Sequence, residues 1–171
     1  TNSYTLEGNF SIDNTPPQVE FVPPTEASGS LINRNYIHVN VSAVDAHFSY
    51  LEVYLYNSTG FYTQTMSITS PYFVNFTNLP NGTYYFNATA WDEADNSNST
   101  ETRYVTIDIT PPTYSNDGDD SSGSVIEGTI VNVSVLWQDN IALDTAIFRT
   151  NQSGTWQDVS TCTLSGTSTW C

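Results

Sequence analysis

The sequence predicts an all-β protein: two tandem copies of one β-sandwich module, the second incomplete. Three observations carry that expectation. Apolar and polar residues alternate over short runs, turn-forming clusters separate the runs, and the first part of the chain returns at a constant spacing. SGSLINRNYIHVNVSAVDA, from Ser28, lies without a gap over SGSVIEGTIVNVSVLWQDN, from Ser122, at an offset of 94. The match runs on to NSTG at Asn57 against NQSG at Asn151. Gly29/Gly123, Ile32/Ile126, Val39/Val133, Val41/Val135, Asp45/Asp139 and Gly60/Gly154 are identical pairs, and the Thr-Pro-Pro at Thr15 returns at Thr110.

The first element is the leading segment, residues 1–14. FSIDNTPP at Phe10 matches VTIDITPP at Val105, so the segment reads as the closing strand of a module. Tyr4, Leu6, Gly8, Phe10 and Ile12 alternate with Thr5, Glu7, Asn9 and Ser11, which gives that strand one apolar face.

Residues 15–109 form the first module. In IHVNVSAV, Ile37, Val39, Val41 and Ala43 alternate with His38, Asn40 and Ser42, the pattern of a half-buried strand. LEVYL follows, then a turn at NSTG, then FYTQT and YFVNFTNL. LPNGTYYFNATAWDEADN is a turn entering a strand whose inward set is Tyr84, Phe86, Ala88 and Ala90, and RYVTIDI closes the copy. Roughly seven strands in about 95 residues, with no helical period, fit an immunoglobulin-like sandwich of two sheets.

Residues 110–171 form the second module. Val131, Val133, Val135 and Trp137 should face inward, with Asn132 and Ser134 opposite. On the straight offset Cys171 corresponds to Thr77, so this copy stops after its fifth strand and lacks closing strands. An open sandwich edge exposes core and backbone groups, and a lone strand with one apolar face does not persist in water. The expectation is exchange between chains. The leading strand of one subunit, anchored by Tyr4, Leu6, Phe10 and Ile12, completes the second module of the next, a head-to-tail contact that builds a homopolymer. The alternative is that these residues are a window on a longer tandem array, since residues 1–14 supply one closing strand and not two.

TPPQVEF, the Asp closing IHVNVSAVD, and LPNGTYYFNATAWDEADNSN resemble the Ig-like repeats of prokaryotic, especially archaeal, cell-surface proteins. LDTAIFRTNQSGTW in the second copy is similar to a stretch of such proteins. The resemblance covers nearly the whole chain. It implies the tandem Ig-like fold and a place in a stalk, adhesin, lattice or filament, and it does not choose among these.

Composition sets the surroundings. Eighteen acids against three arginines give a net charge of −15, which repels nucleic-acid phosphates and anionic lipid heads. No apolar run approaches a membrane span. With no initiator Met and no charged-then-apolar leader, the expectation is that any export signal has been removed. Asn, Ser and Thr make up about a third of the chain and create nine N-x-[ST] sequons, at Asn9, Asn40, Asn57, Asn75, Asn81, Asn87, Asn98, Asn132 and Asn151. Asn40, Asn75, Asn87 and Asn132 fall on polar strand faces, open to N-linked glycan. Cys162 and Cys171 flank CTLSGTSTWC, symmetric about a Ser-Gly turn, so a disulfide across a hairpin is expected. Sequons and disulfide together predict an extracellular, cell-surface protein.

Catalytic groups are sparse. His38 faces out of a strand and His47 sits in a loop beside Asp45; no G-x-S-x-G, H-E-x-x-H or Gly-rich phosphate loop occurs. The chain is not expected to be an enzyme. Ca²⁺ is the better ligand. Asp13 and Asn14 in the linker, Asp45 after the second strand, and Asp92, Glu93 and Asp95 in a late loop fall at one end of such a sandwich, and hard oxygens from several loops suit that ion. Of these, Asp13, Asn14, Asp45, Asp92 and Asp95 are the candidate ligands; Asp and Asn also simply suit turns. Tyr50, Tyr54 and Tyr56 lie opposite Leu51, Val53 and Leu55; exposed aromatics stack on sugars or form subunit contacts, or are shielded by the protein's own glycans. The function expected is a structural subunit of a pilus-like filament, sheath or lattice; the alternative is a carbohydrate-binding or adhesin module.

Overall fold

The computed structural model of the protein describes residues 12–171. Tyr4, Leu6, Asn9 and Phe10 lie outside the described residues. The chain is all-β and divides into two compact units, the second running from Thr110 to Cys171.

Unit 1 contains β1 (Gln18–Phe21), β2 (Ser30–Ile32), β3 (Ile37–Val44), β4 (Phe48–Asn57), β5 (Gly60–Ser67), β6 (Tyr72–Phe76), β7 (Gly82–Asp92), β8 (Ser97–Ser99) and β9 (Arg103–Ile107). One sheet has the order β1-β3-β6, all antiparallel. The other runs β2-β9-β7-β4-β5, with β8 also on β7, and its β2–β9 edge is parallel. The two apolar faces close on one core. Ile37, Val39 and Val41 come from the first sheet, and Leu51, Val53, Leu55, Phe86, Val105 and Ile107 from the second, all fully buried. Each large side chain so buried contributes about 1.5–3 kcal/mol. The alternation in β3 and β7 lands as expected, with Ala43, Tyr84, Ala88 and Ala90 also inside. Gly29 supplies the one left-handed turn this edge needs: at φ +84° its N–H reaches the Tyr104 carbonyl at 2.7 Å.

Unit 2 contains β10 (Thr113–Asp119), β11 (Val133–Gln138), β12 (Thr145–Thr150), β13 (Gln157–Thr163) and β14 (Ser168–Trp170). Its sheets are β10-β11-β14 and β12-β13. These repeat β1-β3-β6 and β4-β5 in the same order. The pairing of Thr113 with Gln138 in unit 2 stands where Gln18 pairs with Val44 in unit 1. Among the described residues unit 2 has no counterpart of β7, β8 or β9. The segment matching β2 is correspondingly unformed: Ser124–Ile126 makes no strand and Ile126 is 84% exposed. A parallel edge strand has no reason to form without the neighbour that β9 supplies to β2.

Two expectations about the end of the chain need correction. The connection between β12 and β13, residues 151–156, is longer than the turn at 58–59, so the offset of 94 fails beyond it. Cys171 exchanges both backbone hydrogen bonds with Val135, at 2.9 and 3.0 Å. It thus takes the place Tyr72 holds opposite Val41, not that of Thr77. The disulfide itself is present, with Cα atoms 6.0 Å apart. It does not close a hairpin: Cys162 lies on β13, paired with β12, whereas Cys171 follows β14, paired with β11. The bond therefore joins the two sheets, beside the small core of Leu143, Ala146 and Leu164. Such a bond forms and persists in an oxidising compartment. No helix of the described residues is long and apolar enough to cross a membrane.

Candidate functional site

Three of the five candidate ligands meet. Asp13 precedes β1, Asp45 follows β3 and Asp92 ends β7, and one carboxylate oxygen of each lies within 4.8 Å of the others. Asp95 is not part of this group and is exposed in its turn at φ 64°, and Asn14 is exposed as well. Each carboxylate also caps its own turn. Thr15 N–H donates to Asp13 Oδ1 at 3.0 Å, and His47 N–H to Asp45 Oδ1 at 2.7 Å. Ala94 and Asn96 N–H both donate to Asp92 Oδ1, and Asn96 Nδ2–H donates to Asp92 Oδ2 at 2.8 Å.

Asp92 is 2% exposed. Burial pushes its carboxyl up, but the Asn96 side chain and backbone, the Ala94 N–H and the charge of His47 outweigh that and hold it below its ordinary value. Asn96 was not singled out from the sequence. It donates from one amide to both Asp92 and the Asp13 carbonyl, the latter at 3.0 Å, and so ties the leading segment to the end of β7. Its sequence signal is the last position of the A-x-D-x-x-x-N pattern that AWDEADN shares with the Ig-like repeats it resembles.

No arginine neutralises the triad. Arg34 pairs with Glu26, Arg103 with Glu101 and Arg149 with Asp158. His47 is turned to Glu93, 3.9 Å away. Three carboxylates from three segments, with no guanidinium among them, are a donor set that Ca²⁺ accepts.

Unit 2 carries a different feature, an apolar cleft of about 520 Å³ between its two sheets. Val133, Val135, Trp137, Ala146, Phe148 and both cysteines line it, with Asp117, Asp119 and Arg149 also at its walls. The indole Nε1–H of Trp137 is buried there with no acceptor among the described residues. In unit 1, β4 has β5 on one side and β7 on the other; β12 has β13 alone. The cleft is where the faces of β7 and β9 would lie.

The sequons divide by environment. Asn75 and Asn132 are exposed and Asn87 is half-buried on the outer face of β7. Asn40 departs from the open setting expected of it. Its Nδ2–H donates to the Pro23 carbonyl at 2.8 Å, and its Oδ1 is buried without a donor among the described residues. The cause is the Thr25 hydroxyl, which bonds both the N–H and the C=O of Asn40 and draws residues 22–26 across the strand. Asn98 Nδ2–H likewise holds the Pro17 carbonyl, at 3.1 Å. Comparison with protein-family models, with curated proteins and with solved structures found nothing that matches this chain.

Proposed function

We propose that the chain is a structural subunit of an extracellular, N-glycosylated cell-surface filament, sheath or lattice, built from tandem Ig-like sandwiches and assembled head-to-tail by strand complementation. Its action is mechanical and adhesive rather than catalytic. The observation that carries the reading is an apolar cleft that the described residues of unit 2 leave uncovered, in a unit that repeats part of the strand order of unit 1. The leading segment has the complementary pattern, and the one anchor among the described residues, Ile12, is 83% exposed in its own chain.

Unit 1 supplies a template for the register. β2 pairs parallel with β9, Ser30 opposite Val105 and Ile32 opposite Ile107. By the match of FSID to VTID, Phe10 of one copy would lie opposite Ser124 of the next and Ile12 opposite Ile126. Burying Tyr4, Leu6, Phe10 and Ile12 would contribute on the order of 6–12 kcal/mol before the cost of ordering.

The test is assembly of the purified chain, followed by light scattering and electron microscopy, with and without an excess of a peptide of residues 1–14. The peptide should cap growing ends and shorten the polymer. A polymer that forms unchanged when residues 1–14 are deleted would overturn the exchange. The longer-array reading has its own support, because residues 1–14 carry the sequence pattern of one strand and the cleft would take two. It requires that residues continuing beyond Cys171 close unit 2 in the same chain, and that the peptide then has no effect.

A further inference from the structure

The outer face of the larger sheet in unit 1 is an aromatic surface with a glycosylation acceptor at its centre. β7 presents Tyr85, Asn87 and Thr89 outward, because Tyr84, Phe86, Ala88 and Ala90 fill the core. On one side, β4 sets Tyr56 opposite Tyr85, Tyr54 opposite Asn87 and Glu52 opposite Thr89. On the other, β9 sets Tyr104 opposite Tyr85, and Thr102 accepts from Asn87 Nδ2–H at 3.1 Å. Directly opposed side chains on such a face begin about 4.5–5.5 Å apart. Tyr85 and Tyr104 are in tilted contact, ring centroids 6.1 Å apart; Tyr54 and Tyr56 are near-parallel at 6.4 Å. Tyr85 and Tyr104 remain exposed.

We propose that the oligosaccharide attached at Asn87 folds back over Tyr54, Tyr56, Tyr85 and Tyr104, so that sequon and tyrosine face form one carbohydrate site occupied by the chain's own glycan. The inference rests on the glycoprotein reading above and adds the place where one glycan lies. Attachment forms the Nδ2–C1 bond and breaks the C1–O bond of a lipid-phosphate-linked oligosaccharide donor, with the amide proton lost to the transferase. The second amide hydrogen stays to bond Thr102. Sugar C–H groups carry small positive charge and the faces of aromatic rings are negative, so pyranose faces settle on tyrosine. Covalent attachment at the centre of the face gives the sugar a high effective concentration there, which a free polysaccharide lacks. A glycan at Asn87 also stands in the way of any flat protein partner on this face. Asn40, opposite Phe73 on the smaller sheet, differs in that its amide is held by the Pro23 carbonyl and its Oδ1 is buried.

The experiment uses the full chain from a glycosylating host, compared with Asn87→Gln, and with Thr89→Ser, which keeps both the sequon and the hydroxyl. Site occupancy is read by mass spectrometry, and tyrosine nitration is followed residue by residue. Tyr54 is a poor reporter, because burial and its hydrogen bond to Glu52 push its hydroxyl up to about 12. Tyr56, Tyr85 and Tyr104 should be nitrated several-fold more slowly in the glycosylated chain and in Thr89→Ser than in Asn87→Gln. Proton spectra should show sugar C–H signals displaced upfield by ring currents, and Tyr85→Ser should remove part of the displacement. Equal nitration with and without the glycan overturns the proposal. So does an unmodified Asn87 when other sequons are occupied, which leaves the glycoprotein reading standing. Failure of every sequon defeats both. Self-association of the glycosylated chain through this face would show a second copy as the occupant and likewise overturn it.

Discussion

Cys162 and Cys171 join opposite sheets of unit 2, so a bond between residues close in sequence acts as a staple through the core. Closing so short a loop stabilises by about 2–3 kcal/mol, mainly by restricting the unfolded chain. Replacing both cysteines by serine should lower the stability of unit 2 by that amount and leave the unfolding of unit 1 unchanged. Urea titration followed by hydrogen exchange in each unit separates the two; loss of protection in both units would refute the assignment.

The expectation of a disulfide came from the cysteines themselves, but its geometry did not. Symmetry about Ser165 and Gly166 suggested facing strands, and sequence spacing carries no sign of which partner a strand chooses. β14 pairs with β11 rather than β13, and that choice depends on packing from residues far away. The alternation in β3 and β7 was legible because one face of each is buried, which makes every second residue apolar. The straight offset is less reliable in β12. It puts Ile147 in the place of buried Val53, yet Ala146 is the buried residue and Ile147 is 50% exposed. Loops absorb single-residue shifts without a trace in composition, and in a strand each such shift exchanges the faces. In the acidic cluster, Asp13, Asp45 and Asp92 were found from loop placement, whereas Asn96 was hidden because its role is to donate to two partners at once.

Asp92 should make unit 1 acid-sensitive. Its folded carboxyl titrates below the unfolded value, near pH 4, so its stabilisation is fully present above that value. It is lost as pH falls through the folded value. Thermal unfolding of unit 1 between about pH 2 and 6 should show this slope, and Asp92→Asn should flatten it. An unchanged slope in the variant would show that another carboxylate governs the transition.

Ca²⁺ should raise the unfolding temperature of unit 1 in a concentration-dependent way, because a ion bound only to the folded state stabilises by mass action. Chelation should reverse the shift. Asp45→Ala is the informative variant, since Asp45 lies on a partly exposed loop and its removal spares the Asp92–Asn96 bonds. If the wild-type chain does not respond to Ca²⁺ in calorimetry, the three carboxylates are turn caps and nothing more.

Phe10→Asp should abolish assembly while unit 1 remains folded. A carboxylate there would be desolvated beside Val135 and Trp137, and Arg149, the cation lining the cleft of unit 2, is already paired with Asp158. Sedimentation velocity measures the polymer, and near-ultraviolet circular dichroism checks the fold. Polymer of normal length from this variant would rule out Phe10 as an anchor.

The two asparagine amides that grip the leading segment have a mechanical consequence. Asn96 holds the carbonyl of Asp13 and Asn98 that of Pro17, just ahead of the first β1–β3 pair, Gln18 with Val44. Tension arriving along that segment meets these side-chain clips before it reaches the sheet. They pass it to β7 and β8, in the other sheet from β1. A load entering there would be divided between the two layers, so β1 would not be unzipped one backbone bond at a time.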